Sequence, residues 1–280
     1  MNFEPKNFAL PNGVTLQYVE HGEKTGTPVV LLHGVTDSWH SFELLMPLLP
    51  PDLRSIAFTM RGHGDSSRPE TGYSLADMAD DLKLALDALG FPAVVLVGHS
   101  MGSSIAQRFA IDHPDRTLGL VLMGTCASLR SNAAVQSFWN DAIRDLTDPV
   151  PTELAREFQL STTAQPVPPE FIDMAVHESL KLPATVWRQL FGGMLEVDHT
   201  PELKQLRTPC LLLWGDQDAF FGQHDQEETL AAIPGSRLVV LGGAGHAPHW
   251  EQPARVAEQI TSFVRGIAED TSARSSSAAD

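Results

Sequence analysis

The sequence predicts an α/β fold on a mostly parallel sheet, and three observations carry that expectation. Short apolar runs rich in Val, Ile and Leu recur along the chain, separated by longer amphipathic stretches. Most runs are almost continuously apolar rather than alternating, as strands covered on both faces require. Residues 128–200 contain helical patterns but no such run, so they are expected to form a helical insertion in an alternating strand–helix frame.

The elements follow in chain order. Val14, Leu16 and Tyr18 alternate behind Asn12-Gly13, which signals an antiparallel hairpin. Strands are expected at 29–32 and 55–58. Ser74 caps a helix that runs to Leu89, with Leu75, Met78, Ala79, Leu82, Leu86 and Leu89 on one face and Gly90 as its stop. A strand at 93–97, a helix at 105–111 ending ahead of Pro114, and a strand at 118–123 come next. The insertion is punctuated by Asp148-Pro149-Val150-Pro151 and Pro166-Val167-Pro168-Pro169. Strands at 210–214 and 238–241 then lead to a helix at 251–268, striped by Val256, Ile260, Phe263, Val264 and Ile267. The expected organisation is a core of 1–127 and 201–270, a helical cap (lid) at 128–200, and a small polar tail at 271–280 without fixed structure.

Composition narrows the partners. Nineteen Lys and Arg against 35 Asp and Glu give a formal charge of −16, which repels polyanions and argues against nucleic acid. The two cysteines, Cys126 and Cys210, sit beside apolar runs and make no disulfide framework. The first residues lack the basic and apolar regions of a secretory signal, and no apolar run approaches the roughly 20 residues of a membrane helix. The expectation is a cytoplasmic protein, monomer or homodimer, acting on a small molecule with neither membrane nor nucleic-acid partner.

Gly98-His99-Ser100-Met101-Gly102 fits G-x-S-x-G, and its context sharpens it. A strand run ends at Val97 and a helical pattern starts after Gly102, the strand–turn–helix setting in which a serine is exposed on a tight bend. A serine hydroxyl needs an oriented base. Downstream, Asp216 and Asp218 follow one strand run and His246 follows another, at the strand ends where parallel sheets place their sites.

These features resemble the alpha/beta-hydrolase fold family over residues 10–268. Beside the elbow stand His33-Gly34, Arg61-Gly62-His63-Gly64-Asp65-Ser66, Trp214-Gly215-x-x-Asp218 and Gly245-His246, in the family's order. The resemblance implies a doubly wound, mostly parallel eight-stranded sheet with the lid inserted before the last strands. It implies Ser100 as nucleophile, His246 as base and then acid, and Asp218 rather than Asp216 as the acid that orients the imidazole. The backbone N–H groups of Val35 and Met101 are implied as the oxyanion hole. Two departures are Ser103, where many relatives have glycine, and the missing proline in Asp218-Ala219-Phe220-Phe221-Gly222.

No cofactor and no metal are expected. Pro248 separates His246 from His249 and disfavours a helical ligand pair, and no acidic or cysteine cluster completes a site. His33, His63 and His99 are expected to brace loops. Gly34 and the bulky cap residues Phe138, Trp139, Trp187 and Phe191 are the candidate pocket. The cap holds five Lys and Arg against ten Asp and Glu, which disfavours an anionic substrate and suits a neutral ester, thioester or lactone. Family epoxide hydrolases and dehalogenases use a carboxylate nucleophile, and epoxide opening also uses lid tyrosines; here residue 100 is serine, and Tyr18 and Tyr73 both precede the cap. Ring-cleavage carbon–carbon hydrolases, haloperoxidase or perhydrolase activity, and a slow-turnover ligand sensor are the alternatives that keep a serine triad.

Overall fold

The structure, a computed structural model, describes residues 3–130 and 132–277, with side chains of the last helix described through Glu269. Eight strands, β1 (Lys6–Ala9), β2 (Thr15–His21), β3 (Thr27–Leu32), β4 (Leu53–Thr59), β5 (Val94–His99), β6 (Thr117–Met123), β7 (Cys210–Gly215) and β8 (Arg237–Leu241), form one sheet. Their spatial order is β1-β2-β4-β3-β5-β6-β7-β8. The β1–β2 and β2–β4 pairs are antiparallel and every other pair is parallel.

The near-continuous apolar runs have a direct cause. Val30, Leu32, Ile56, Phe58, Leu96 and Leu122 point into one core, and their neighbours Val29, Leu31, Ala57, Val97 and Val121 point into another. Helices α1 (Leu75–Leu89) and α2 (Met101–Asp112) cover the first face. Helix α10 (Pro253–Ser277) covers the second through Val256, Ile260 and Val264. Ser74 and Asp77 form a reciprocal cap at the start of α1, and Gly90 closes its end.

Between β6 and β7 lie α3 (Ala133–Phe138), a π-helical turn (Trp139–Ile143), α4 (Thr152–Ser161), α5 (Pro169–Leu180), α6 (Ala184–Leu195) and α7 (Thr200–Leu203). The insertion leaves and rejoins the sheet through a narrow neck. There Ser128 bridges Asp198, and the His199 N–H donates to the Ala127 carbonyl at 2.9 Å. Helices α8 (Gln223–Ala232) and α9 (Pro248–Glu251) complete the chain.

Three expectations change. The final helix starts at Pro253, because α9 and the non-helical Gln252 precede it. Strand β8 is an edge strand, not one buried on both faces: Val240 is 45% exposed and only Leu241 is buried. Residues 271–277, expected to lack structure, continue α10; extending an established helix is far easier than nucleating one. The expectation for 278–280 lies outside the described residues. No helix among the described residues is long and apolar enough to cross a membrane.

Candidate active site

Ser100 sits between β5 and α2 with φ 50° and ψ −116°. A positive φ is costly for a residue with a Cβ and persists only where surroundings enforce it. The Ser100 N–H donates to the Met123 carbonyl at 2.9 Å, and the N–H groups of Ser103 and Ser104 return to the Ser100 carbonyl. The flanking glycines serve close packing. A Cβ on Gly98 would stand 2.4 Å from the Gly102 carbonyl oxygen, and one on Gly102 would stand 2.1 Å from that of Leu32. Ser103, where glycine is common in relatives, donates to the Ser100 carbonyl at 2.6 Å and its hydroxyl also meets that of Thr125 at 2.9 Å, so it braces the turn from below.

The loops after β7 and β8 meet beside this turn. Asp218 Oδ2 lies 2.9 Å from His246 Nδ1, and both side chains are buried. Asp218 Oδ1 accepts the N–H groups of Phe220 and Phe221 at 2.8 and 3.1 Å, so the carboxylate is locked by its own loop. Asp216 is exposed and instead accepts the Gly243 N–H at 2.7 Å. Of the two acids, Asp218 is the one in contact with His246. Among the described residues the Ser100 hydroxyl has no hydrogen-bond partner in this conformation, yet it and His246 line one cavity; catalytic pairs often tighten only with substrate bound.

His99 braces the site from behind. Its Nε2 donates to the His246 carbonyl at 3.0 Å, and its buried Nδ1 has no hydrogen-bond partner but lies 4.0 Å from Asp37 Oδ2. Burial, then the neighbouring His249 and His246, push its ionisation well below the ordinary range. His33 accepts the Met60 N–H at Nε2 and packs edge-on against His63; burial lowers its pKa to about 4. Nearby, Asp37 is raised to about 7 by burial, against hydrogen bonds from Gln159 and Ser41. His249 Nε2 meets Ser41 Oγ at 3.1 Å.

The cavity is small, with a volume of about 30 Å³. Val35 and Met101 line it, and among the described residues neither N–H has an acceptor. Of the expected pocket residues, Phe138 and Phe191 line it, whereas Gly34, Trp139 and Trp187 do not. Trp187 is fully buried and stacks on Phe191 at 6.0 Å, so it supports the wall from behind. Trp139 lies against Gly192, and Gly34 faces His99 Nδ1 and Asp37. Two further bulky cap residues, Phe158 and Met194, join the lining, as do Leu129, Val135, Phe220, Phe221 and Ser104, which were not expected there. Ser104 was legible as the residue one helical turn beyond Ser100, and Phe220 and Phe221 as the two that follow Asp218 and its small neighbour. Apart from Ser100, Ser104 and His246, every lining side chain is apolar.

The model of the alpha/beta hydrolase fold matches residues 27–253. The chain is 27% identical to epoxide hydrolase 4 of Mus musculus over 288 residues, covering 91% of this chain and 77% of that protein. It superposes on a thermophilic esterase from Thermogutta terrifontis with a TM-score of 0.84 at 29% identity, covering 94% and 99% of the two chains. It superposes equally well, at 0.84 and 25% identity, on a bromoperoxidase from Bacillus anthracis, with 94% and 100% covered. Three differently named chemistries thus share this scaffold, and the chain belongs to the alpha/beta hydrolase fold family, a family of hydrolases.

Proposed function

We propose that the chain is a serine hydrolase that cleaves a carboxylic ester or lactone of small to medium size through an acyl-enzyme. The observation that carries this is the strained Ser100 facing, in one apolar cavity, an imidazole whose other nitrogen is held by a buried carboxylate. In this mechanism Ser100 Oγ attacks the carbonyl carbon while His246 Nε2 takes its proton. The oxyanion forms against the N–H groups of Val35 and Met101, and His246 returns the proton to the departing alcohol. Water, deprotonated by His246, then releases the acid and restores Ser100. Asp218 keeps Nδ1 protonated and so leaves Nε2 free to act as base. The apolar walls support a neutral substrate, since a charged group would lose its hydration with nothing to replace it.

The epoxide reading suggested by the mouse relative's name has less support. The elbow offers a hydroxyl, and the Tyr73 hydroxyl is committed to the Pro69 carbonyl at 2.7 Å. The likeness to the bromoperoxidase favours a second reading, in which peroxide replaces water on the same acyl-enzyme. A fluorophosphonate probe tests the proposal: it is expected to label Ser100, with multiple turnovers of short p-nitrophenyl esters by the wild type and neither by a folded Ser100→Ala protein. Labelling elsewhere would move the nucleophile, and a single burst without turnover would favour a sensor. Adding peroxide to the same assay separates ester hydrolysis from perhydrolysis.

A further inference from the structure

Besides Ser100, Thr36 is the only residue other than glycine with a positive φ among the described residues, at 66°. It is the third residue of the turn Gly34–Asp37, closed by the Asp37 N–H on the Gly34 carbonyl at 3.3 Å. A positive φ at that turn position normally calls for glycine or asparagine, and a β-branched residue there is a conformational outlier. The preceding residue is Val35, so the strained position directly follows a residue that lines the cavity.

What holds Thr36 comes from the insertion. Ser179 Oγ, on α5, lies 3.1 Å from Thr36 Oγ1 and 3.4 Å from its carbonyl oxygen. Gln159 Nε2, on α4, reaches Thr36 Oγ1 at 3.3 Å, Asp37 Oδ1 at 3.0 Å and Ser179 Oγ at 2.8 Å. All four residues are buried, with Thr36 and Ser179 at 0% and Gln159 at 1% exposure. The Trp187 indole N–H anchors the Ser179 carbonyl at 3.3 Å. A strained turn in the core is therefore secured by side chains of the inserted helices.

We propose that Gln159 and Ser179 are positioning residues: by holding Thr36 left-handed, they fix the Val35 amide where the oxyanion develops. This rests on the reading of Val35 as an oxyanion donor. Seating of the insertion and assembly of the oxyanion hole are then one event. Glycine at position 36 would take the same conformation without the clasp, and that gives the test its logic.

The experiment compares Gln159→Ala, Thr36→Gly and the double variant with wild type, using one short p-nitrophenyl ester. Removing a whole oxyanion donor costs about 10²–10³ in kcat; misplacing one is expected to cost about tenfold or more, with KM changed far less. The double variant is expected to recover most of the loss. A second readout needs no catalysis: exchange of the Asp37 amide, which closes the turn, is expected to quicken in Gln159→Ala and slow again in the double variant. If Gln159→Ala does not fold, Ser179→Ala removes the other arm and is read in the same way. An equal loss in both backgrounds, a rise in KM at constant kcat, or unaltered Asp37 exchange would overturn the proposal. Failure of the hydrolase reading looks different: the wild type itself would neither turn over esters nor label at Ser100, while the exchange measurement still reports on the clasp.

Discussion

The two halves of the cavity wall are built in different ways. On the sheet side, main-chain bonds and bare glycine contacts fix each chemical group: Ser100 N–H to Met123, Gln217 N–H to Ala244, and Gly102 against Leu32. On the insertion side the wall is ring on ring, with Phe138 against Phe158 at 5.2 Å, Phe158 against Trp187 at 5.8 Å, and Trp187 against Phe191 at 6.0 Å. Main-chain constraints demand one residue type at one place, whereas ring packing accepts several. Chemistry is thus expected to fail abruptly on the sheet side, and selectivity to drift gradually on the other.

The sharpest break is at the two acids. Under the proposed mechanism, Asp218→Asn leaves the loop's shape intact but removes the group that fixes the imidazole tautomer. A fall in kcat of about 10⁴ is expected. Asp216→Asn, exposed and bonded only within its own loop and to Gly243, is expected to stay within about twofold. Steady-state kinetics on one ester decides between them; similar losses in both would mean the loop, not the carboxylate, matters.

One substitution made on both sides tests the packing contrast. Gly102→Ala pushes a Cβ to 2.1 Å from a backbone oxygen of β3, which cannot retreat without moving the strand. A loss of about 3 kcal/mol or more is expected, at or beyond the upper end of ordinary overpacking. Gly192→Ala, inside α6, meets Trp139 at 3.4 Å, an ordinary contact. There the gain in helix propensity, about 0.5–1 kcal/mol, is expected to raise the melting temperature by a few degrees. Thermal unfolding of the two variants reads both signs.

The same contrast explains what was legible in the sequence. The elbow, the Trp214-Gly215-x-x-Asp218 spacing and Gly245-His246 could be read because each marks a backbone geometry that few residues tolerate. The pocket could not. Trp187 and Phe191 are both bulky and apolar on α6, and only the packing of α6 on its neighbours decides that Phe191 meets the cavity while Trp187 backs it. Strand β8 was misread because Leu, Val, Val and Leu have the pattern of a doubly covered strand whether or not a neighbour covers it. The Thr36 clasp had no local signal, since its members are 123 and 143 residues apart.

At the neck between the two halves, His199 allows a pH test. Burial first, then Arg108, lower its pKa from 6.5 to about 4, against the opposing Glu202, Asp112 and Asp198. Its Nδ1 meets Gln107 Oε1 at 3.1 Å. The folded protein thus keeps it neutral where the unfolded chain would bind a proton. Its contribution is complete above pH 6.5 and is lost as pH falls towards 4, a difference worth about 3 kcal/mol. His199→Gln is expected to flatten the acid side of the stability profile by about that amount. His33 and His249, lowered to about 4 and about 3 by burial, leave a residual slope. An unaltered profile in urea titrations at pH 4.5 and 7 would place the acid sensitivity wholly outside the neck.

The smallest effect separates the walls by specificity. Phe138→Leu trims a partly buried ring of the insertion and leaves the Asp218–His246 pair untouched. The ratio of kcat/KM for a hexanoate over an acetate ester is expected to shift by about tenfold, the lower range for apolar pocket changes. Phe220→Leu acts on the other wall. Its ring lies 5.0 Å from His246, and its N–H donates to Asp218 at 2.8 Å. Loss of the ring there frees the imidazole to tilt, so both esters are expected to slow together with their ratio nearly kept. If Phe138→Leu slowed both alike and Phe220→Leu altered the ratio, the division of labour between the two walls would be reversed. Rigid loops would then choose the substrate, and the ring-packed wall would govern the chemistry.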